Sequence, residues 1–179
     1  MERTGWNSAS MAPGNGIQTL ESDHVLTDRR RIVGMATPVR TLSQTKVWPG
    51  QRPGHDVTLS RRIIVLHSLD PDFDGAQALE VDCSECLAGT GAHRGHNVNT
   101  HARGDKTFVA YQGITRTVAT ERGPGQTLLE GIWWCTGGTG RFSGITGQGT
   151  YRGQLTPAGP ACTFEGEYEL SGAGRELAR

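Results

Sequence analysis

Three groups of residues have types and spacings suited to chemistry. The first is Cys83-Ser-Glu-Cys86 followed by His93, His96 and His101. Zinc takes four sulfur or imidazole ligands in a tetrahedron, so Cys83, Cys86, His93 and His96 form a candidate structural metal set. Two features weigh against it. The intervening Leu-Ala-Gly-Thr-Gly-Ala is shorter than a finger spacer, and a strand-like run, not a helix, follows the histidines. The competing reading is a pair of half-buried thiols and polar imidazoles on a hairpin. A redox CxxC would need a helix start to lower its thiol pKa, and the sequence offers none. No cofactor is expected, and zinc is kept as the alternative.

The second group is Asp70, Asp72 and Asp74. Their alternation is that of a calcium loop, and Gly75 falls at its sixth position. The twelfth position is Val81, where a bidentate glutamate is needed, and Pro71 sits inside. A solvated acidic loop is the expectation. The third is Glu130, the sole charge between Thr127 and Cys135. A lone charge in an apolar run needs a partner or a purpose, so it is either an outer-face ion-pair partner or a pocket acid.

Other chemistries lack their signatures. The chain shows no Ser-His-Asp spacing, nucleophile elbow, Walker loop or dinucleotide glycine pattern. Gly137–Gly147 is glycine-rich but is not followed by a helix that would hold phosphate. What remains is positioning and proton transfer by polar groups in a pocket.

The elements that would position such groups are strands. Thr127–Leu155 organises the chain as strand, glycine-rich connection, strand. Leu128–Cys135 is branched, aromatic and sulfur-bearing, and Gly147–Leu155 has glycine at alternate positions, which bends a strand and clears one face. In Cys162–Leu170, Cys162, Phe164, Gly166, Tyr168 and Leu170 share one face, and threonine and glutamates share the other. Val57–Leu66 is a strong strand. Further candidates are Arg31–Val39, Thr41–Val47, Gln77–Cys83, a hairpin over Gly95–Gly113 turning at Gly104-Asp105, and Thr115–Thr120. About nine candidates with glycine bends fit an all-β fold: one closed antiparallel up-and-down barrel of about eight strands, lipocalin-like.

The 179 residues suffice for one domain. Residues 1–29 read as a flexible arm, 30–171 as the barrel and 172–179 as a polar tail. The arm's alternative role is a lid, with Trp6 or Met11 as plug. Arg29-Arg30-Arg31 reads as a solvated edge. Eighteen basic residues balance eighteen acidic ones, so no global field draws nucleic acid or an anionic membrane. No stretch is apolar for long enough to span a bilayer, and the N-terminus lacks the order of a secretory signal, so a cytoplasmic location is expected. Four cysteines do not make a dense disulfide framework.

Gly137–Tyr151, GGTGRFSGITGQGTY, resembles the glycine-rich pattern of dirigent proteins and of bacterial relatives of the allene oxide cyclase barrel. A looser likeness reaches back to Gly104–Lys106 and on to Gly166–Leu170. The resemblance implies an eight-stranded antiparallel barrel, commonly a trimer or dimer, that folds a flexible, mostly apolar substrate into a reactive shape. The motif is structural in these families, so no catalytic residue is carried over from it.

Glycines recur on one face of the C-terminal strands, opposite Tyr151, Phe164 and Tyr168. That face is taken as inward, around an aromatic-lined cavity; a filled core is the alternative. Trp133 and Trp134 put bulk on both faces, so the outer one needs cover from the arm or from a homo-oligomer, a dimer or trimer. The expected function is a cyclase or isomerase acting on a small hydrophobic substrate without a covalent intermediate. The alternatives are a lipocalin-like carrier of a hydrophobic metabolite and a structural module with a filled interior. Candidate catalytic groups are Glu130, Tyr151, His67 and Tyr111; candidate substrate contacts are Trp133, Trp134, Phe164, Tyr168 and Arg61. Tyr151 and Tyr168 also fit as core aromatics, and Arg61 as the partner of a strand glutamate.

Overall fold

The structure is a computed structural model that describes residues 28–50, 52–120 and 123–171. Eight strands follow one another: β1 (Asp28–Val47), β2 (His55–Ser68), β3 (Gln77–Leu87), β4 (Thr90–Thr100), β5 (Lys106–Thr120), β6 (Gly123–Gly138), β7 (Thr146–Thr156) and β8 (Gly159–Leu170). Each is antiparallel to the next, and β8 returns to pair with β1, with Asp28 opposite Leu170 and Ala36 opposite Cys162. The sheet is a closed up-and-down barrel, and β1 beyond Ala36 runs on paired with β2 alone.

The candidates reduce to eight strands because two expected breaks are absent. Arg31–Val39 and Thr41–Val47 are one strand, β1, which absorbs its proline through register shifts between Pro38 and Arg40 and between Thr41 and Ser43. A bulge lets a strand bend while it stays paired. Thr115–Thr120 continues β5. The Cys83–Cys86 segment lies inside β3, and β4 begins after a two-residue turn at Ala88-Gly89. Both turn residues have positive φ, 51° and 77°, as the tightest hairpins require.

One end of the barrel is plugged. The β2–β3 loop folds under it and delivers Phe73, which packs edge-on to Tyr168 at 5.0 Å and to His101 at 5.1 Å. Between β6 and β7, a 3₁₀ turn over Gly140–Phe142 inserts the fully buried Phe142, whose ring lies 4.2 Å from that of His101. The glycine-rich motif is therefore the barrel's floor. Asp72 ties the floor together, taking Arg30 at 3.0 Å and Arg141 at 2.6 Å. Asp70 accepts the Tyr168 hydroxyl proton at 2.6 Å. The acidic loop thus corrects the solvated-loop expectation: its carboxylates pair with cations and a phenol, and its phenylalanine is core.

Residues 1–27, 51, 121–122 and 172–179 lie outside the described residues, and with them the expected lid, Trp6, Met11 and the polar tail. Among the described residues no helix is long and apolar enough to cross a membrane.

Candidate active site

Above the floor the barrel encloses a cavity of about 370 Å³. The filled interior weighed from sequence is not what forms. The reason lies in how the inward aromatic rings are seated. Tyr111 on β5 pairs with Gly95 on β4, which pairs with Asp82 on β3. Tyr151 on β7 pairs with Gly131, Gly131 with Gly113, and Gly113 with His93 on β4. Trp133 on β6 pairs with Gly149, and Gly149 with Gly166. Phe164 on β8 pairs with Gly34 on β1. In each line the ring lies across the glycines. A Cβ at Gly113 or Gly131 would come within 2.5 Å of the Tyr151 oxygen, and one at Gly149 or Gly166 within 2.6 Å of the Trp133 indole. The rings lie along the wall, and the middle of the barrel stays open.

The two sides of the cavity differ in chemistry. Strands β2 to β5 contribute Arg62, Glu80, Asp82, His93, Tyr111 and Thr115. Strands β6, β8 and β1 contribute Leu129, Trp133, Cys135, Cys162, Phe164 and Ile32. The buried acid, base and phenol groups cluster on the first side, beside Ile64 and Leu66, and the second is mostly apolar. A small molecule with a greasy skeleton and one or two polar atoms fits such a space.

The polar side holds two connected sets. In the first, Arg62 Nη1 donates to Glu80 Oε2 at 2.7 Å and lies 4.0 Å from Asp82. The Tyr111 hydroxyl is 3.0 Å from Glu80 Oε1 and 3.1 Å from Asp82 Oδ2. A phenol has one proton, so it can donate to only one of two carboxylates. Glu80 is the member held by the guanidinium. Asp82, the more weakly held of the two, is the carboxyl that can take up a proton and return a hydrogen bond to the phenol oxygen. Burial, and then the Glu80 charge beside it, push Asp82 up from 3.8 to about 6, so it titrates close to neutral pH. Tyr111 is pushed up from its usual value by burial and by the two carboxylates, so it stays a neutral phenol.

In the second set, His93 Nδ1 is 2.9 Å from Thr115 Oγ1, and its Nε2 is 2.5 Å from the Tyr151 hydroxyl. Burial lowers His93 and raises Tyr151, so both are neutral at rest. The cavity thiols are protonated as well. Burial raises Cys86, lifts Cys135 to about 11 and, with a smaller push from Glu80, lifts Cys162 to about 12.

Of the residues chosen from sequence, Tyr111, Tyr151, Trp133, Phe164 and Tyr168 line this cavity, Tyr168 at its floor. Four others do not. Glu130 is on the outer face, 3.1 Å from Arg116, with both side chains mostly exposed. Arg61 and His67 are exposed on the outer side of β2, where alternation gives the cavity Arg62 and Leu66 instead. Trp134 alternates with Trp133 and points outward, opposite Ala110. The candidate zinc set is divided. Three residues apart on a strand means opposite faces, so Cys86 and His93 face the cavity while Cys83 and His96 do not. Among the described residues no cluster of three metal-ligating side chains occurs, and all four cysteines are free.

Sequence reasoning missed Arg62, Glu80 and Asp82, and singled out His93 only as a metal ligand. The available signal was the alternation of β3, where Glu80, Asp82, Ser84 and Cys86 share the inward side.

No family model and no curated protein matches the chain. Among solved structures, a pterocarpan synthase dirigent protein is similar at 14% identity and a TM-score of 0.48, over 92% of this chain and 97% of that one.

Proposed function

We propose that the protein is a cofactor-independent cyclase or isomerase that folds a small, mostly apolar molecule in the barrel and moves a proton within it. The observation that carries this reading is the single Tyr111 proton shared between Glu80 and Asp82. It makes Asp82, raised to about 6, the carboxyl that can hold a proton close to neutral pH, as a general acid must. The apolar wall of Trp133, Leu129 and Phe164 holds the skeleton, and confinement supplies the orientation that lowers the barrier without a nucleophile. The glycine-rich resemblance to dirigent and allene oxide cyclase barrels points the same way.

A ring closure or double-bond shift conserves mass, which sets the test. Solvent extracts of the purified protein and of Asp82→Asn are compared by chromatography and mass spectrometry. The expected result is one mass with two retention times, product on the parent protein and unreacted isomer on the variant. The second reading is a carrier, favoured by the extent of the apolar wall. It predicts the same compound, at the same retention time, on both proteins.

A further inference from the structure

We propose that Tyr151, backed by His93, is the proton-accepting group of the cavity, acting on the substrate together with Asp82. The inference rests on the acid-assisted reading above and extends it, because a general acid alone cannot relocate a proton. Something must take one up.

The geometry supports acceptance. Neutral His93 has one N–H and two oxygen partners, Thr115 Oγ1 and the Tyr151 oxygen. Two arrangements satisfy every atom. In one, Nδ1–H donates to Thr115 and the Tyr151 hydroxyl donates to Nε2. In the other, Thr115 donates to Nδ1 and Nε2–H donates to the Tyr151 oxygen. In the first arrangement the only proton of Tyr151 points at the histidine, and the phenol's lone pairs are left for a ligand. A proton arriving on that oxygen releases the other one to Nε2, 2.5 Å away. Tyr151 reaches His93 from three strands off because Gly131 and Gly113 clear the wall between them.

The step balances within one substrate molecule. An O–H bond, or a C–H bond beside a carbonyl, breaks, and its proton passes to the Tyr151 oxygen as that hydroxyl's own proton passes to His93 Nε2. The electron pair left behind closes a ring onto an unsaturated carbon or shifts the double bond. The carbon that gains electron density takes the Asp82 proton. Imidazolium and carboxylate then return to neutral by exchange with water. The substrate class is therefore a neutral apolar molecule with one weakly acidic X–H and one polarised double bond.

The test uses 4-nitrophenol, whose ionised form is yellow, at a pH where the free probe is almost wholly neutral. Equilibrium dialysis reads how much binds, and absorbance reads whether it has given up its proton. The expected result is an ionised bound probe on the parent protein, with His93→Gln and Tyr151→Phe binding it in the neutral form. If one of these two variants does not fold, the other carries the comparison. A neutral bound probe on the parent protein overturns the proposal, as does no binding, or a yellow complex with His93→Gln. Asp82→Asn separates the two readings. An ionised probe on it keeps the Tyr151–His93 assignment whether or not Asp82 serves as the acid, and a neutral probe on it overturns the assignment.

Discussion

Tyr151 and His93 stand at the two ends of one cross-strand line, 58 residues apart in sequence and 2.5 Å apart at their polar atoms. Two glycines, Gly131 and Gly113, occupy the positions between them. Tyr111 and Asp82 repeat the arrangement with Gly95 between. Both polar sets therefore depend on the absence of side chains at named places. This ties the curvature of the barrel to its chemistry: the residues that let the sheet bend also let phenols reach across it.

Gly131→Ala should uncouple the pair. The new methyl would meet the Tyr151 oxygen at 2.5 Å and the Gly113 Cα at 2.7 Å, and backbone cannot yield as a side chain can. Overpacking of this kind costs about 1–3 kcal/mol. Urea unfolding is expected to show that loss, and the imidazole ¹⁵N shifts of His93 should move to those of a ring without the Tyr151 partner.

Arg62→Met should be more damaging than its single charge suggests. Arg62 and Glu80 are both less than a tenth exposed, and the methionine would leave Glu80 buried without its cation. Breaking one side of a buried pair costs about 3–5 kcal/mol. Adding Glu80→Gln to Arg62→Met is expected to recover part of the loss, which denaturant titration of both variants would show.

The contrast between strands shows what could be read from the sequence. On β7 and β8 the inward face pairs glycines with aromatics, and the cavity wall was visible in that alternation. On β2 the usual rule fails. Leu59 is 51% exposed and Val81 on the facing strand 39%, while Thr58, Ser60 and Arg62 are buried. Over residues 57–62 the inside is a polar wall and Leu59 faces out; only at Ile64 and Leu66 does the inward face become apolar. Arg61 and His67 were chosen on the wrong face for that reason. Asp82 and His93 acquire their roles only from partners 29 and 58 residues away, through register that no local pattern encodes.

Glu130→Gln is the negative control. Its partner Arg116 is as exposed as it is, and surface pairs contribute about 0–1 kcal/mol. Stability should change by no more than that, and the compound extracted from the variant should be the one found on the parent protein.

The last expectation concerns pH. Asp82 is held at about 6 in the folded protein against 3.8 for the free side chain. As pH rises between those values, the unfolded chain loses this proton while the folded one keeps it, so stability falls; below about 4 both forms are protonated and the effect is absent. The shift corresponds to a loss on the order of 3 kcal/mol at neutral pH relative to about pH 4. His93 and His101 act in the opposite sense, since burial lowers both and stability falls as pH drops below their usual 6.5. In the parent protein the two trends offset each other. Asp82→Asn removes only the first, so the variant should lose stability on acidification from neutral pH to about pH 4 more steeply than the parent. It should also match or exceed the parent's stability at neutral pH. Unfolding free energies measured across that range for both proteins check this, and parallel profiles would mean that the fold does not raise the Asp82 pKa and leaves it no proton to give near neutral pH.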